Sequence, residues 1–317
     1  MRAVARQVWA ASRFEIVALA LVVVGLTAAA LFFTATLRSL QVSPACLAAD
    51  ATIPDSCHEG AADAAFLAWG AAQTASDIVG VGMAVVPLLI GAALGAPLVG
   101  REVERGTTQL AWWISPSRRR WLAERVLVVG AIVCLLLIPL AITSHLLEAA
   151  REPAVDPTAS LLAVGQRGPS LVFRGVALFA SGVLFGALTG RVLPALLLAA
   201  ALSVPLLLVG RPALSLGMPD EVVGTNGTID VRYAIVHDRR WQTTDGRLLD
   251  DEQALQTAPA SEPDAYTWLN AHYRSVSIGV PRWRYIDFEV RGAAVFLGVT
   301  GLALLATGWV VDRRRPL

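Results

Sequence analysis

The sequence predicts an all-α integral membrane protein with about six transmembrane helices and a small extracytoplasmic cap. Of its 317 residues, 55% are hydrophobic and only 16% are charged, which is too apolar for a soluble domain of this length. Six separate stretches are apolar over the roughly 20 residues that a helix needs to cross the hydrocarbon core. In a six-helix layout, the connections that are rich in arginine all fall on one side of the membrane.

The six predicted spans differ in how cleanly they are bounded. Arg174 lies near the start of the fourth span, where its long side chain is expected to reach the membrane interface. Only Arg191 separates the fourth and fifth spans, which predicts a tight helical hairpin. The span centres hold almost no charge, which disfavours a proton-driven transporter. The spans cover residues 16–37, 78–100, 126–147, 171–190, 192–210 and 292–311.

The distribution of arginine predicts the orientation. Arginines precede the first span, fill the connection between the second and third, and follow the last at Arg313, Arg314 and Arg315. The positive-inside rule therefore predicts that both termini are cytoplasmic. Residues 2–14 form either an amphipathic helix on the inner membrane surface or an ordinary charged flank. The predicted units are 1–210 (N-terminal segment and helices 1–5, with outer loop 38–77 and cytoplasmic segment 101–125), 211–291 (cap) and 292–317 (helix 6 and tail).

The outer loop and the cap carry the features of an extracytoplasmic compartment. Cys46 and Cys57 lie in the outer loop, where they are either joined in a disulfide or present as two free thiols. The cap is polar and contains turn signals at Asn226-Gly227 and Asp245-Gly246. Cys134 lies within the third span and is expected to pack as an apolar residue.

Catalytic and metal-binding patterns are weak. His58 and Asp63 have the spacing of some acyltransferases, although no second motif accompanies them. His145 and Glu148 lie one helical turn apart, and His237 and His272 lie in the cap, but the histidines are too scattered to predict a metal site. The formal net charge of +1 gives no basic field for nucleic acid.

The basic residues also bear on ATP chemistry. All 26 of them are arginine, so the chain has no lysine for a phosphate-binding loop of the G-x-x-x-x-G-K-[ST] type. The chain is therefore not predicted to hydrolyse ATP, and no cofactor is expected in it.

The connection between the second and third spans has an order that charge alone does not explain. Gly95-Ala96-Pro97-Leu98 leads into Arg101-Glu102, then Glu104, then Gly106-Thr107, and Leu110-Ala111-Trp112 is followed by Arg118 to Leu122. This run resembles that of bacterial ABC-2 type transporter permeases. The resemblance is strongest over residues 87–122 and returns at residues 281–289 before the last span. The chain departs at Trp113-Ile114, where similar permeases often have Thr-Gln.

The resemblance implies an ABC-2 type exporter fold in the bacterial inner membrane. Two permease copies, identical or different, would pack in the bilayer, and separate ABC ATP-binding subunits would bind ATP and magnesium beneath them. The ATPase-coupling segment would comprise Arg101, Glu102, Glu104, Arg105, Gly106 and Thr107, with its glutamates paired to basic groups of the ATPase. The implied function is export of a drug, lipid or other amphipathic substrate.

Two other functions fit the residues. In a membrane-anchored sensor, the outer cap would bind a ligand and the cytoplasmic segment would pass on the signal. In a membrane-embedded acyltransferase, His58 and Asp63 would be essential.

Overall fold

A computed structural model of the protein describes residues 2–47, 57, 60–107, 117–153, 156, 158, 160–161, 164–208, 214–225, 233–259 and 264–313. It consists of a bundle of long helices and a smaller domain built on a four-stranded sheet. The helices of the bundle are α1 (Arg2–Ser39), α2 (Pro44–Leu47), α3 (Gly60–Glu104), α4 (Arg118–Arg151), α5 (Gly168–Thr189), α6 (Val192–Leu208) and α9 (Tyr285–Arg313).

Within the described residues, five helices are long and apolar enough to cross a membrane, which confirms the predicted helical membrane fold. These spans are Ser12–Ser39, Ala62–Glu104, Arg118–Arg151, Gly168–Thr189 and Arg282–Arg313. The described part of the predicted fifth span is α6, a helix of 17 residues from Val192 to Leu208. At 1.5 Å per residue this part covers roughly 25 Å, and residues 209–213 lie outside the described part of the chain.

The helical hairpin between α5 and α6 is present. Gly190 ends α5 in the left-handed conformation with φ of 65°, and α6 begins two residues later at Val192. A residue with φ in this range is most often glycine, which explains the sharp reversal.

Helices α1 and α3 extend furthest beyond their predicted spans. Residues 60–77 were predicted within an outer loop, but they are helical and continuous with the rest of α3. Seven alanines between 61 and 72 favour the helix, and Asp63 in its first turn complements the helix dipole. The other is α1, whose N-terminal part is helical up to a non-helical residue at Ser12, so residues 2–11 form a separate helical segment before the first span.

The bundle has two ends. At one end α3 and α5 finish and α4 and α6 begin, and we call it the arginine end. At the opposite end the sheet domain connects α6 to α9, and we call it the sheet end.

Helices α3 and α5 approach each other through glycines at the centre of the bundle. Gly91 and Gly95 of α3 are four residues apart, as are Gly182 and Gly186 of α5. A Cβ atom at Gly91 would lie 2.6 Å from the carbonyl oxygen of Gly175. Backbones pack this closely in membranes because small residues allow dispersion contacts along the whole crossing.

In its described parts, the sheet domain contains four antiparallel strands in the order β1-β4-β2-β3 and two short helices. Strand β4 packs against α9 through an apolar cluster that includes Val280, Tyr285 and Phe288. The cap was predicted from the sequence, but strands within it were not. The elements are β1 (Glu221–Thr225), β2 (Ile235–Gln242), β3 (Leu248–Leu249), α7 (Asp251–Leu255), α8 (Ala265–His272) and β4 (Arg274–Val280).

Candidate functional site

The predicted coupling residues all lie at the end of α3 at the arginine end. Arg101 to Glu104 form the last helical turn, and Arg105, Gly106 and Thr107 form the turn that follows. Thr108 and the departure at Trp113-Ile114 lie outside the described residues.

Arg101 joins α3 to the first span. Its Nη2 donates to Glu15 Oε1 at 2.5 Å, and both side chains are partly buried. Glu15 lies just after the break in α1 at Ser12. The ion pair therefore connects the end of α3 to the point at which α1 changes direction.

Glu102 joins α3 to α4. Its Oε1 accepts a hydrogen bond from Arg125 Nη1 at 2.6 Å. The guanidinium of Arg125 also lies over the ring of Trp121, 4.7 Å from the ring centroid. Ring and carboxylate together hold Arg125 in one orientation, which makes this ion pair more rigid than an exposed one.

Glu104 joins α3 to α6. Its Oε2 accepts from the backbone N–H of Val192 at 3.2 Å, at the first residue of α6. A carboxylate at this position satisfies a backbone donor that the helix leaves unpaired and favours the positive end of the helix dipole. Glu104 therefore acts as a cap for a helix that is distant from it in sequence.

A glycine turn closes α3. The N–H of Gly106 donates to the carbonyl of Val103 and the N–H of Thr107 donates to that of Glu102, both at 3.1 Å. This pair of bonds is the Schellman motif, in which one residue takes positive φ. Gly106 fills that position with φ of 68°. The side chains of Arg105 and Thr107 are exposed beyond it.

The first turn of α4 contacts the end of α9. Arg118 Nη1 donates to the carbonyl oxygens of Val311 and Asp312 at 3.3 and 3.2 Å, and Arg119 Nε lies 2.5 Å from Asp312 Oδ2. Arginines at the last carbonyls of a helix complement its negative end. Ser117 caps α4 by accepting from the N–H of Arg120.

These contacts change one expectation. The glutamates of the coupling segment were expected to pair with basic groups of another protein, but Glu102 and Glu104 contact Arg125 and Val192 of the same chain. Their partners were missed because they are far away in sequence. For the pair of Arg101 with Glu15 the sequence offered one signal, because Glu15 is an acidic residue within a flank that contains arginine.

Comparison with known proteins places the chain. A family model described as "ABC-2 membrane transporter related" matches residues 31–212, more than half of the sequence. The chain belongs to this ABC-2 family. No curated protein and no solved structure matches it.

Membership of the ABC-2 family assigns the general role of the chain. ABC-2 membrane domains are the permease part of transporters, so this permease works with a separate ATPase subunit. The matched range contains the whole of α3 to α6, including the coupling residues, and stops before the sheet domain.

Arg174 of the permease was predicted to reach the membrane interface, but it does not. Its residue is only 3% exposed, and its Nη2 donates to the carbonyl oxygen of Ala84 at 3.0 Å, inside the bundle. Pro87, three residues along α3, lacks a backbone N–H and disturbs the helical hydrogen bonds of this turn. Arg174 therefore provides a hydrogen-bond donor to a backbone carbonyl oxygen of α3 that lies close to a proline.

A charged cluster lies where the bundle meets the sheet domain. Arg151 at the end of α4 pairs with Asp77 of α3 and lies 3.5 Å from Glu148. Tyr233 of the sheet domain donates to Glu152 Oε2 at 2.5 Å. Glu148, which was considered from the sequence as a metal ligand together with His145, therefore contacts Arg151. Among the described residues, no group of three or more His, Cys, Asp or Glu is placed to hold a metal ion.

His237 bridges two polar side chains of the sheet domain. Its Nδ1 lies 2.8 Å from Asp220 Oδ1 and its Nε2 lies 3.0 Å from Ser215 Oγ. The order of partners is that of a Ser-His-Asp hydrolase, but the burial is reversed. Ser215 is 2% exposed whereas the Asp220 side chain is 46% exposed. His237 therefore links β2 to the segment before β1.

The remaining candidates are also placed. Cys46 and Cys57 are bonded, with Sγ atoms 2.01 Å apart and Cα atoms 5.8 Å apart. His272 stacks on Trp268 and its Nδ1 lies 2.8 Å from the Trp268 carbonyl oxygen. Asp63 lies in the first turn of α3, but His58 lies outside the described residues, as do Asn226 and Gly227.

Proposed function

We propose that the chain is the permease subunit of a bacterial ABC exporter that moves a drug, lipid or other amphipathic substrate across the inner membrane. Two permease copies, identical or different, form the membrane body, and separate ATP-binding subunits bind ATP and magnesium. One observation carries the proposal. The end of α3 contacts α1, α4 and α6 through three separate residues of a single helical turn, Arg101, Glu102 and Glu104.

This arrangement supports a mechanism in which movement of one turn displaces several helices. A force applied to the turn at residues 105–107 acts first on the end of α3. Because that end is bonded to three other helices, they move with it, and the glycine contacts near Gly91 carry the displacement to α5. If all these contacts shift together, the bundle has two discrete packings rather than a continuous range of them. Alternating access requires two such states.

The proposed orientation places the arginine end in the cytoplasm, with both termini there. Arginine-rich connections remain on the cytoplasmic side during insertion. The sheet domain and the Cys46–Cys57 disulfide lie at the opposite end, in a compartment where disulfides persist. With this orientation, the coupling turn faces the compartment that contains ATP.

Reconstitution tests the proposal. The permease is co-expressed with a candidate ABC ATP-binding subunit, and vanadate-sensitive ATP hydrolysis is measured in proteoliposomes. We expect hydrolysis by the complex, none by the permease alone, and efflux of a fluorescent amphipathic compound from cells that depends on both genes. An Arg239→Glu variant carries a charge reversal in the sheet domain, at the opposite end of the molecule. We expect it to hydrolyse ATP in the complex as the wild type does.

Two results contradict the proposal. Hydrolysis of ATP by the purified permease alone would place the motor within this chain. Failure of any ATP-binding subunit to associate, together with ligand binding by the sheet domain, would favour the membrane-anchored sensor.

A further inference from the structure

Acidic side chains at the arginine end are used within the chain. The sequence has five acidic residues in the parts that reach this end, and each of them has a partner. Glu102 and Glu104 hold α4 and α6, as described above. Residues 108–116 and 314–317 add no further acid. The five contacts are Glu15 with Arg101, Glu102 with Arg125, Glu104 with the N–H of Val192, Glu124 with Arg120, and Asp312 with Arg119.

Arginines, in contrast, face outward. The side chain of Arg119 is 79% exposed and that of Arg120 is 66% exposed, although each contacts a carboxylate. Ion pairs this exposed contribute little, so they exchange readily for another acidic partner. Arg105 is exposed at the tip of the glycine turn, with no carboxylate within ion-pair distance among the described residues.

These arginines also project beyond the internal contacts. Arg119 and Arg120 precede Arg125 by six and five residues along α4, which is roughly 7.5–9 Å of helix. Arg105 follows the last turn of α3. The outermost charge of the arginine end is therefore positive on both sides of the connection between α3 and α4.

We propose that the ATPase subunit presents an acidic docking surface to this end, and that Arg105, Arg119 and Arg120 contact it. The glutamates of the coupling segment transmit the motion inside the permease and do not dock. This inference rests on the proposed function, since it names the chemistry of the partner in that function. Complementary charge at such a surface speeds association and makes the affinity depend on salt.

The test measures binding of the purified ATPase subunit to the permease in nanodiscs of phosphatidylcholine and, in a second series, in nanodiscs that also contain phosphatidylglycerol. Arg105→Glu and the double variant Arg119→Glu/Arg120→Glu are compared with Arg105→Lys, Glu104→Gln and the distant control Arg239→Glu. We expect each reversal at the arginine end to weaken binding by about tenfold and to flatten its salt dependence. Arg105→Lys, Glu104→Gln and Arg239→Glu are expected to bind within about twofold of wild type.

Three results overturn the inference, and they are distinguishable. If the wild-type permease binds the ATPase but both reversals bind equally well, the docking surface lies elsewhere and the proposed function stands. If binding appears only in nanodiscs with phosphatidylglycerol, the arginines contact anionic lipid. If the wild-type permease binds no ATPase in either lipid, the proposed function fails together with the inference. Size-exclusion profiles of each variant confirm that it is folded.

Discussion

Glu104 Oε2 lies 3.2 Å from the backbone nitrogen of Val192, so the last residue of α3 caps the first turn of α6. These residues are 88 positions apart in sequence. The contact joins one end of the hairpin α5–α6 to the end of α3. Glu104 thus has a partner within the chain.

The first prediction concerns this cap. Replacing Glu104 by arginine removes the acceptor and puts a positive charge at the positive end of α6, which we expect to cost about 1–2 kcal/mol in the free energy of unfolding. Limited proteolysis near residues 190–192 and thermal unfolding measure the effect. Glu104→Gln keeps an acceptor oxygen and is expected to lose less. Equal stability of Glu104→Arg and wild type would show that the cap contributes nothing.

The second prediction concerns the glycine turn. Gly106 has φ of 68°, and a Cβ there meets no atom within 4 Å, so any cost of substitution comes from the backbone alone. We expect Gly106→Val to cost about 1–2 kcal/mol locally and to reduce coupled ATP hydrolysis. Gly106→Asn is expected to retain activity, because asparagine tolerates this conformation better. Full activity of the valine variant would mean that the turn is not part of the coupling path.

The third prediction concerns the contact between α3 and α5. A leucine at Gly91 would collide with the backbone of Gly175 and Phe179, so we expect overpacking to cost about 1–3 kcal/mol or more. Gly25→Leu is the matched control, since its Cβ has no neighbour within 4 Å. Thermal unfolding in detergent compares the two. A Gly91→Leu variant as stable as Gly25→Leu would rule out the close approach.

The fourth prediction concerns the cysteines at the sheet end. A bond between Cys46 and Cys57 closes a loop of 11 residues, and its removal is expected to cost about 2–3 kcal/mol in the free energy of unfolding. Reduction should lower the unfolding temperature of wild type but not of Cys46→Ser/Cys57→Ser. Alkylation of both thiols in unreduced native protein would show that the bond is absent.

The fifth prediction concerns pH and the helix α8. The Asp264 carboxylate accepts from the Thr267 hydroxyl at 2.6 Å and from backbone N–H groups, and these hydrogen bonds hold the pKa of Asp264 below its ordinary value. A lowered pKa in the folded state means that this stabilisation is complete above about pH 4 and is lost as the pH falls through the folded value.

Hydrogen exchange of the amides of α8 measures this loss. We expect protection to fall in acid for wild type and to depend less on pH in Asp264→Asn. Identical acid dependence in the two proteins would assign the effect to another group.

Sequence alone predicted the helical spans and the position of the coupling segment because both depend on local patterns. A run of apolar residues as long as a bilayer is thick has few alternatives to a spanning helix. The order Arg101-Glu102, Glu104, Gly106-Thr107 marked the turn, and Gly106 occupies a position that requires positive φ. Arginine placement separated the two ends of the bundle before any contact was known.

The partners of those residues were decided only by tertiary structure. Glu102 was predicted to face another protein, and nothing near it in sequence indicates Arg125 rather than an external cation. Arg174 was predicted to reach the interface, but it is buried and donates to the carbonyl oxygen of Ala84 on a different helix, a contact that depends on how closely glycines let α3 and α5 approach. Periodicity and composition describe each helix against its solvent, whereas ion pairs and helix crossings depend on distances between helices that a single sequence does not specify.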